Sequence, residues 1–336
     1  MLTSIHIQGF KGFKDTLIAP LRKVNLILGG QNVGKTSLLE AVYLGASDIN
    51  NFQRLPELFR VAEGHDSQRY LQSVLGQKQW CIDLADNTRK VLRTTNQLNV
   101  GNEVYFNVKK ITTDEVNINR LIEDKDEEIA FTPEARKIIL VEKLIKEMGF
   151  INPLSISVHL PNQFDVAQLF DKTIMFRKKK ILLEMLRRID SRLEDIHSLL
   201  PDGERRIYVE LDGSSDALPL PQLGHGFSRL VYLYCSLLVT DAKLALIDEV
   251  ENGIHYSSLP ILFQGIQDIA ANNNVQTLMT THSWDCIKAA YKTFADAGNL
   301  KDFQLIRLER EGDNVRAVVI NDEMLETVME AGYEVR

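Results

Sequence analysis

The sequence predicts an α/β fold in which both ends of the chain contribute strands to one mixed sheet. An apolar run at residues 23–28 leads into a glycine-rich turn, which is followed by a helical pattern. A second apolar run at residues 244–247 (LALI) has the uniform hydrophobicity of a parallel strand that is buried on both faces. Since complementary motifs follow the two runs, we expect their strands to lie in the same sheet.

The composition is typical of a soluble globular protein. Of the 336 residues, 44% are hydrophobic and 25% are charged. The longest apolar stretch, residues 230–239, is interrupted by Ser236 and is shorter than the ~20 residues that a membrane-spanning helix needs. The alternating N-terminus is not a signal peptide, and Cys81, Cys235 and Cys286 form no C-x-x-C pair. These features predict a cytoplasmic protein with reduced thiols and no membrane partner.

The N-terminal part is predicted to alternate between strands and one helix. Two or three strands fit residues 1–28, and a helix follows Gly34. Short alternating stretches over residues 80–111 are typical of antiparallel strands.

The middle of the chain is predicted to be largely helical. Thr132 and Gly149 are suited to begin and end one helix. After a strand-like run at residues 154–159, a long helix is expected over residues 165–200. Its apolar residues recur at alternating spacings of four and three, as in a coiled-coil seam, although such a stripe more commonly packs against the parent domain. The seam consists of Leu182, Leu186, Ile189, Leu193, Ile196 and Leu200.

The C-terminal part returns to short elements. A strand fits residues 206–211, a helix residues 257–271 and a further strand residues 275–280. A hairpin is expected around Gly312, closed by a short helix.

A phosphate-binding loop is predicted where the first apolar strand ends. The segment GGQNVGKT matches the pattern G-x-x-x-x-G-K-[ST]. In such a loop, backbone N–H groups and the helix N-terminus surround phosphate oxygens, Lys35 adds a positive charge, and the Thr36 hydroxyl binds Mg²⁺. The predicted ATP-binding residues are Gly29, Gly30, Gln31, Asn32, Val33, Gly34, Lys35, Thr36 and Ser37.

Two acidic residues follow the LALI strand directly. Asp248 is predicted to hold Mg²⁺ through water, and Glu249 is predicted to orient or deprotonate the attacking water. Acidic residues often end strands, so the pair is specific only in combination with the phosphate loop.

A histidine ends the next predicted strand. His282, in TTHS, can hydrogen-bond the γ-phosphate or the attacking water and thereby report the nucleotide state. A lone histidine at a strand end is more often structural, but its position after the other two motifs favours a catalytic role.

A second glycine-rich segment precedes an apolar helix. This signature segment, LGHGFSRL at residues 223–230, contains Gly224, Gly226 and Ser228 at a helix N-terminus, which is suited to bind an anion. Because the chain already has a complete phosphate loop, we expect this segment to cap the nucleotide of a neighbouring subunit. The sequence therefore predicts a homodimer that closes around ATP.

Together these segments resemble the ABC-type ATPase superfamily, and within it the branch of SMC, RecF and OLD proteins. The resemblance is carried by IHIQGFKGF, GGQNVGKTSLLEAV, LGHGFSRL, LALIDEVENGIH and TTHS. It implies an ABC-type P-loop NTPase head with a mixed sheet, antiparallel N-terminal strands and a helical insertion. It also implies one ATPase domain over residues 1–336, with an ATP-binding lobe at 1–130, the insertion at 131–200 and a second lobe at 201–336.

The sequence departs from the pattern of this superfamily at two places. Gly224 stands where transporter signatures carry a serine that touches the γ-phosphate, so Ser228 or backbone N–H groups would substitute. The glutamine loop has no clear position, and its candidates are Gln53 and Gln163. Full OLD proteins continue into a Toprim nuclease domain, which is not expected in this chain, so any nuclease would be a separate polypeptide.

The resemblance implies an ATPase that senses or clamps DNA, or that controls a separate nuclease or toxin, in bacterial anti-phage defence. A RecF- or SMC-like role in DNA repair or recombination is the alternative. The E-N-G-I-H segment at residues 251–255 counts against a transport ATPase. A GTPase finds loose support in NQFD at residues 162–165, whose position before the acidic strand indicates coincidence.

A basic segment is the candidate contact for DNA. The net charge of −7 confines any such contact to a local patch, because phosphate neutralisation supplies most of the affinity for nucleic acid. A charge run on a helix more often forms a solvated face. The patch comprises Arg177, Lys178, Lys179 and Lys180, followed by Arg187, Arg188 and Arg192.

Overall fold

The computed structural model describes most of the chain. The described residues are 1–47, 79–87, 90–98, 104–112, 128–130, 153–158, 160–320 and 322–331. The predicted helix from Thr132 to Gly149 and the glutamine-loop candidate Gln53 lie outside them. Among the described helices, none is both long and apolar enough to cross a membrane.

Strands and helices alternate along the described parts of the chain. The strands are β1 (Leu2–Phe10), β2 (Phe13–Ile18), β3 (Val24–Gly29), β4 (Cys81–Asp86), β5 (Lys90–Leu98), β6 (Val104–Thr112), β7 (Glu128–Ala130), β8 (Leu154–Ile156), β9 (Leu193–Leu199), β10 (Arg206–Leu211), β11 (Leu218–Pro219), β12 (Leu244–Ile247), β13 (Gln276–Thr280), β14 (Phe303–Glu311) and β15 (Asn314–Ile320). The α-helices are α1 (Lys35–Ala46), α2 (Gln163–Met175), α3 (Lys179–Arg187), α4 (His225–Val239), α5 (Leu259–Asn273), α6 (Trp284–Asp296) and α7 (Asp322–Ala331).

A six-stranded mixed sheet joins the two ends of the chain. Its order is β15-β14-β3-β13-β12-β8, with β15 antiparallel to β14 and the other neighbours parallel. The N-terminal strand β3 lies between β14 and β13, so the prediction of one shared sheet is confirmed. Because the carboxyl ends of parallel strands meet at one edge, the residues that follow β3, β12 and β13 converge there.

Two antiparallel sheets complete the architecture of the described residues. One has the order β2-β1-β4-β5-β6-β7, and a smaller one has the order β11-β10-β9. The prediction of antiparallel strands near the N-terminus and over residues 80–111 is therefore confirmed.

The central sheet separates two hydrophobic cores. Leu26 and Leu28 of β3 pack in the larger core with residues of α2 to α6, whereas Ile27 packs on the opposite face with α1 and the N-terminal strands. This alternation follows from the strand period of two, and it explains why β3 is apolar at successive positions. The helix α1 is sandwiched between two sheets and is buried nearly all round. The phosphate loop is therefore anchored in packed structure at both its ends.

The predicted continuous helix over residues 165–200 is wrong. α2 and α3 are separate helices, because Arg177 adopts a left-handed φ of 57° between them. Beyond α3 the chain forms the strand β9, in which Ile196 lies opposite Val209 of β10. An apolar spacing of three or four residues does not distinguish a helix from an irregular strand, and the available partner strand decides the outcome here.

The apolar stripe of this segment packs against the parent domain, which is the more common role of such stripes. Leu182, Leu186, Leu193 and Ile196 are buried in the larger core, and Ile189 packs against it. Leu200 is an exception at 58% exposure. The described part of the predicted helical insertion thus contains the strands β8 and β9 in addition to two helices.

Candidate nucleotide-binding site

The phosphate loop connects β3 to α1. Gly34 occupies the N-cap position of α1 with a φ of 108° and no side-chain cap, a conformation that favours glycine. The ring of Phe13 would lie 3.4 Å from a Cβ at this position, so the loop is packed from beneath by β2. Gln31 and Asn32 are exposed, whereas Val33 is buried. The uncapped N–H groups of the first turn of α1 are the donors that a phosphate would accept from.

Lys35 is the buried cation of the loop. The residue is 5% exposed, and its Nζ donates to the carbonyl oxygens of Gly29 at 2.8 Å and Gly30 at 2.9 Å. Nζ also lies 3.2 Å from Nδ1 of His282. The first and third predicted motifs are therefore in direct contact.

Asp248 is held by two hydroxyl groups at the end of β12. Oγ1 of Thr36 donates to its carboxylate at 3.1 Å and 3.3 Å, and Oγ1 of Thr280 donates to Oδ1 at 2.6 Å. Asp248 is only 3% exposed. The hydroxyl and carboxylate oxygens of Thr36 and Asp248 form a hard-oxygen set of the kind that Mg²⁺ prefers, so these residues fit the ion that the sequence predicts.

Glu249 turns away from the strand toward His282. Its φ is 45°, and its N–H donates to Oγ1 of Thr280 at 2.8 Å. Oε1 of Glu249 lies 4.0 Å from Nε2 of His282. Since Lys35 donates to Nδ1, the imidazole proton belongs on Nε2, which faces the carboxylate. Lys35, His282 and Glu249 thus form a continuous polar row.

Sequence reasoning missed Thr280. Its hydroxyl connects the two acidic residues, since it donates to Asp248 and accepts from the N–H of Glu249. The available signal was the pair of threonines that precedes His282. A β-branched hydroxyl residue at a strand end can satisfy the strand period and still bond a neighbouring strand.

The signature segment begins α4. Gly224 is the N-cap with a φ of 92°, and no side chain caps the helix. Oγ of Ser228 donates to the carbonyl oxygen of Gly224 at 3.1 Å. Because the Ser228 proton is used within the turn, the backbone N–H groups are the donors that this segment offers to an anion.

Arg229 of the same segment is fully buried. Its Nη1 donates to the carbonyl oxygen of Ser157 at 2.7 Å, just after β8. Burial lowers the pKa of the Arg229 guanidinium, while Tyr232 and the carboxylates Asp248 and Glu249 act in the opposite direction. The signature helix is therefore bonded to the segment that precedes α2. The sequence signal for this residue was limited to its place in the signature segment.

The glutamine-loop candidate Gln163 and the guanine-type pattern that begins at Asn162 both lie at the N-terminus of α2. Gln163 begins α2 and lines a cavity with His225 and Ser228, so it lies beside the signature segment. Asn162 caps α2, with its side-chain oxygen accepting from the N–H of Asp165 at 2.9 Å. The loose guanine-type pattern at 162–165 is thus a helix cap.

Most cations of the basic patch are engaged with neighbours. Lys179 lies 2.7 Å from Asp195, and Arg188 lies 2.8 Å from Asp268. Arg187 donates to backbone carbonyl oxygens, and Arg192 pairs with Asp190 at 2.8 Å. Exposed apolar side chains surround the turn between α2 and α3, namely Ile174, Met175, Phe176 and Ile181.

The fold and the phosphate loop together define an ABC-type P-loop nucleoside triphosphatase domain. The chain belongs to the family described as "AAA domain, putative AbiEii toxin, Type IV TA system", whose model matches residues 24–285. The sequence resemblance to the ABC-type superfamily and its SMC-like branch is confirmed at the level of the fold by the SMC head structures below.

One sequence relative and two solved structures are similar to this chain over most of its length. A Helicobacter pylori (strain ATCC 700392 / 26695) protein named ATP/GTP phosphatase is 24% identical, and the alignment covers 86% of this chain and 87% of that protein. The SMC head bound to the C-winged helix domain of ScpA superposes with a TM-score of 0.55 at 9% identity, covering 97% of this chain and 99% of that chain. The SMC head domain from Thermotoga maritima gives a TM-score of 0.52 at 12% identity, covering 95% and 99%. The predicted ABC-type head fold is confirmed.

Proposed function

We propose that this protein binds and hydrolyses Mg-ATP as a homodimer whose closure is gated by the nucleotide. The observation that carries the proposal is the polar row Lys35–His282–Glu249 beside the Thr36–Asp248 pair. The catalytic roles of Glu249 and His282 and the metal-binding roles of Thr36 and Asp248 are part of the proposal.

Each residue of the row has a distinct chemical task. The Lys35 ammonium neutralises charge on the terminal phosphates, and the loop N–H groups orient them. Thr36, and Asp248 through water, would hold Mg²⁺, which would supply charge neutralisation at the phosphate oxygens. Glu249 accepts a proton from, or orients, the attacking water, and Nε2–H of His282 is placed to donate to the γ-phosphate.

A homodimer is supported by the unused anion site. The first-turn N–H groups of α4 have no side-chain cap, although the same chain already has a complete phosphate loop. Two copies related by a two-fold axis would each cap the other's nucleotide with Gly224, Gly226 and the neighbouring N–H groups. This arrangement requires ATP for closure and releases the subunits after hydrolysis.

The work of the ATPase is proposed to be the control of a separate effector protein. The family description refers to a type IV toxin–antitoxin system, which supports an effector of the toxin class, and the role in bacterial anti-phage defence follows from the sequence resemblance. A RecF- or SMC-like role in DNA repair is the second candidate, supported by the fold similarity to SMC heads. A cytoplasmic location remains a prediction.

Nucleotide preference is the first test of the proposal. Calorimetry on the full chain with Mg²⁺ is expected to show tighter binding of ATP than of GTP, and EDTA is expected to abolish hydrolysis. The name of the Helicobacter pylori relative, ATP/GTP phosphatase, makes GTP the necessary comparison. Tighter binding of GTP by tenfold or more would make the protein a GTPase, and uptake of neither nucleotide would refute the proposal.

The basic patch is expected to contribute little to any DNA binding, because most of its cations, Lys179 among them, are engaged with carboxylates or carbonyl groups. We predict that the combined change Lys178→Glu, Lys179→Glu and Lys180→Glu leaves the slope of log affinity against log salt unchanged. Each phosphate contact contributes ~0.9 to that slope, so a fall of more than about two would show that the patch binds DNA after all. The exposed Lys301→Glu variant is the control.

The same surface is better suited to a protein partner. Met175 is 75% exposed and Phe176 is 52% exposed, and both positively and negatively charged side chains lie nearby. Exposed apolar side chains of this size commonly mark protein contacts, whereas a DNA backbone would be repelled by nearby Glu194 and Asp195. We therefore place the effector contact at the turn between α2 and α3.

A further inference from the structure

The turn that follows the acidic pair contacts a different motif through each of three successive residues. Glu251, Asn252 and Gly253 lie between β12 and α5 in the E-N-G-I-H segment. Two backbone hydrogen bonds fold the turn back on itself, from the N–H of Asn252 to Glu249 and from the N–H of Ile254 to Glu251, both at 2.9 Å. The turn is therefore a compact unit that directly follows the acidic pair at the end of β12.

Glu251 bonds the switch histidine through its backbone. Oε1 of Glu251 accepts from the N–H of His282 at 2.9 Å. His282 directly precedes Ser283, which is the N-cap of α6. The carboxylate of Glu251 thus lies at the positive end of a helix, where an anion is stabilised.

The pKa of the Cys286 thiol independently supports this location of the Glu251 carboxylate. Burial and then the nearby Glu251 carboxylate raise the pKa of the Cys286 thiol well above its usual range. A side-chain hydrogen bond between Glu251 and the Cys286 thiol contributes to this shift. The Glu251 carboxylate therefore lies against the first turn of α6, beside the N–H of His282 that it accepts from.

Asn252 bonds the segment that leads from β8 into α2. Its Nδ2 donates to the carbonyl oxygen of Val158 at 3.2 Å. The two preceding carbonyl groups of the same segment accept from the other motifs, Ile156 from the N–H of Asp248 at 3.0 Å and Ser157 from Arg229 at 2.7 Å. The acidic strand, the signature helix and the turn therefore all bond to one tripeptide.

Gly253 packs directly against the signature segment. It has a φ of 75°, and a Cβ on it would lie 2.1 Å from Nδ1 of His225. In return, a Cβ on Gly226 would lie 2.7 Å from the carbonyl oxygen of Gly253. The backbone carbonyl of Gly253 thus limits position 226 to glycine, and the positive φ together with the His225 ring favours glycine at position 253, so the two segments are in close contact.

We propose that the turn Glu251–Gly253 fixes the switch histidine, the segment after β8 and the signature helix relative to the acidic pair, and that Glu251 is the positioning residue for His282. The inference rests on the proposed function, since it assigns Glu251 a role in that hydrolysis without contact to substrate. Loss of the accepting side-chain oxygen of Glu251 frees the N–H of His282, so the imidazole no longer stays between Lys35 and Glu249.

Two substitutions separate positioning from chemistry at Glu251. Glu251→Gln keeps an oxygen that can accept from the N–H of His282, whereas Glu251→Ala removes it. We expect Ala to lower kcat by about tenfold or more with KM changed less than about threefold, and Gln to retain kcat within about threefold. Asp285→Ala is the matched control, because Asp285 lies in the first turn of α6 and pairs with Lys288 on the surface.

A double-mutant cycle tests whether Glu251 acts through His282. In a His282→Ala background, Glu251→Ala is expected to lower kcat by less than a further factor of about two, because the group being positioned is already gone. Additive losses would overturn the proposal. Equal loss of kcat in the Gln and Ala variants would also overturn it, since the charge itself would then be required.

Amide hydrogen exchange tests the same contact without hydrolysis. In the peptide spanning residues 281–285, the His282 amide is expected to exchange about tenfold faster in Glu251→Ala than in the parent and in Glu251→Gln. Equal exchange in all three proteins would refute the positioning role, whatever the activity. Failure of the proposed function is distinguishable, because the parent would then show no hydrolysis while this exchange difference persists.

Discussion

Replacing Glu249 with Gln is expected to stop hydrolysis while ATP binding is preserved. The amide is isosteric with the carboxylate but cannot accept the proton of the attacking water, and general bases contribute about 10²- to 10⁴-fold to rates. Glu249 does not belong to the Thr36–Asp248 pair that is suited to Mg²⁺, so the nucleotide and its ion remain bound. Single-turnover assays with Mg-ATP, compared with equilibrium binding, measure both effects.

The same variant also tests the dimer. With hydrolysis blocked, ATP is expected to hold two subunits together, so Glu249→Gln should elute as a dimer with ATP and as a monomer without it. Light scattering coupled to size-exclusion chromatography measures this directly. Hydrolysis by Glu249→Gln at the parent rate would refute the role of Glu249, and a monomer that retains bound ATP would refute the sandwich.

The phosphate loop and the acidic strand could be located from sequence because their backbone requirements are local. A glycine such as Gly34 is needed at a left-handed position, and an apolar strand must precede it. The contact of Lys35 with His282 follows once the strands β3 and β13 are neighbours. Motifs at the carboxyl ends of parallel strands converge by geometry, so their proximity requires no further information.

The remaining features depend on tertiary partners that a pattern does not reveal. The segment from Leu193 to Leu199 has helical spacing but forms a strand, because β10 offers a partner edge. Asn162 suggested a base-recognition motif but caps a helix. The role of Thr280 and the contacts of Glu251 arise between distant strands and loops. The Asn162 cap is a local contact that the sequence pattern left open, whereas Thr280 and Glu251 act through long-range bonds, for which local propensity carries no information.

Replacing Lys35 with Ala is expected to weaken nucleotide binding itself. Lys35 is 5% exposed and its ammonium is directed into the phosphate loop by two carbonyl groups, so its attraction for phosphate is little screened by water. Truncating one partner of a buried charge pair costs about 2–5 kcal/mol, which corresponds to roughly 30- to several thousand-fold in Kd. Calorimetric titration with Mg-ATP measures the change.

A fold defect would mimic this loss, so stability must be measured alongside affinity. Lys35 contacts the loop carbonyl groups and His282 outside the two hydrophobic cores, and its removal leaves α1 packed. We therefore expect the Tm of Lys35→Ala to stay within a few degrees of the parent, and the exposed Lys301→Ala variant to bind normally. Because Lys35→Ala removes binding whereas Glu249→Gln removes only turnover, the pair separates the two tasks of one site. Binding of Mg-ATP by Lys35→Ala within threefold of the parent would show that the loop does not hold the phosphates.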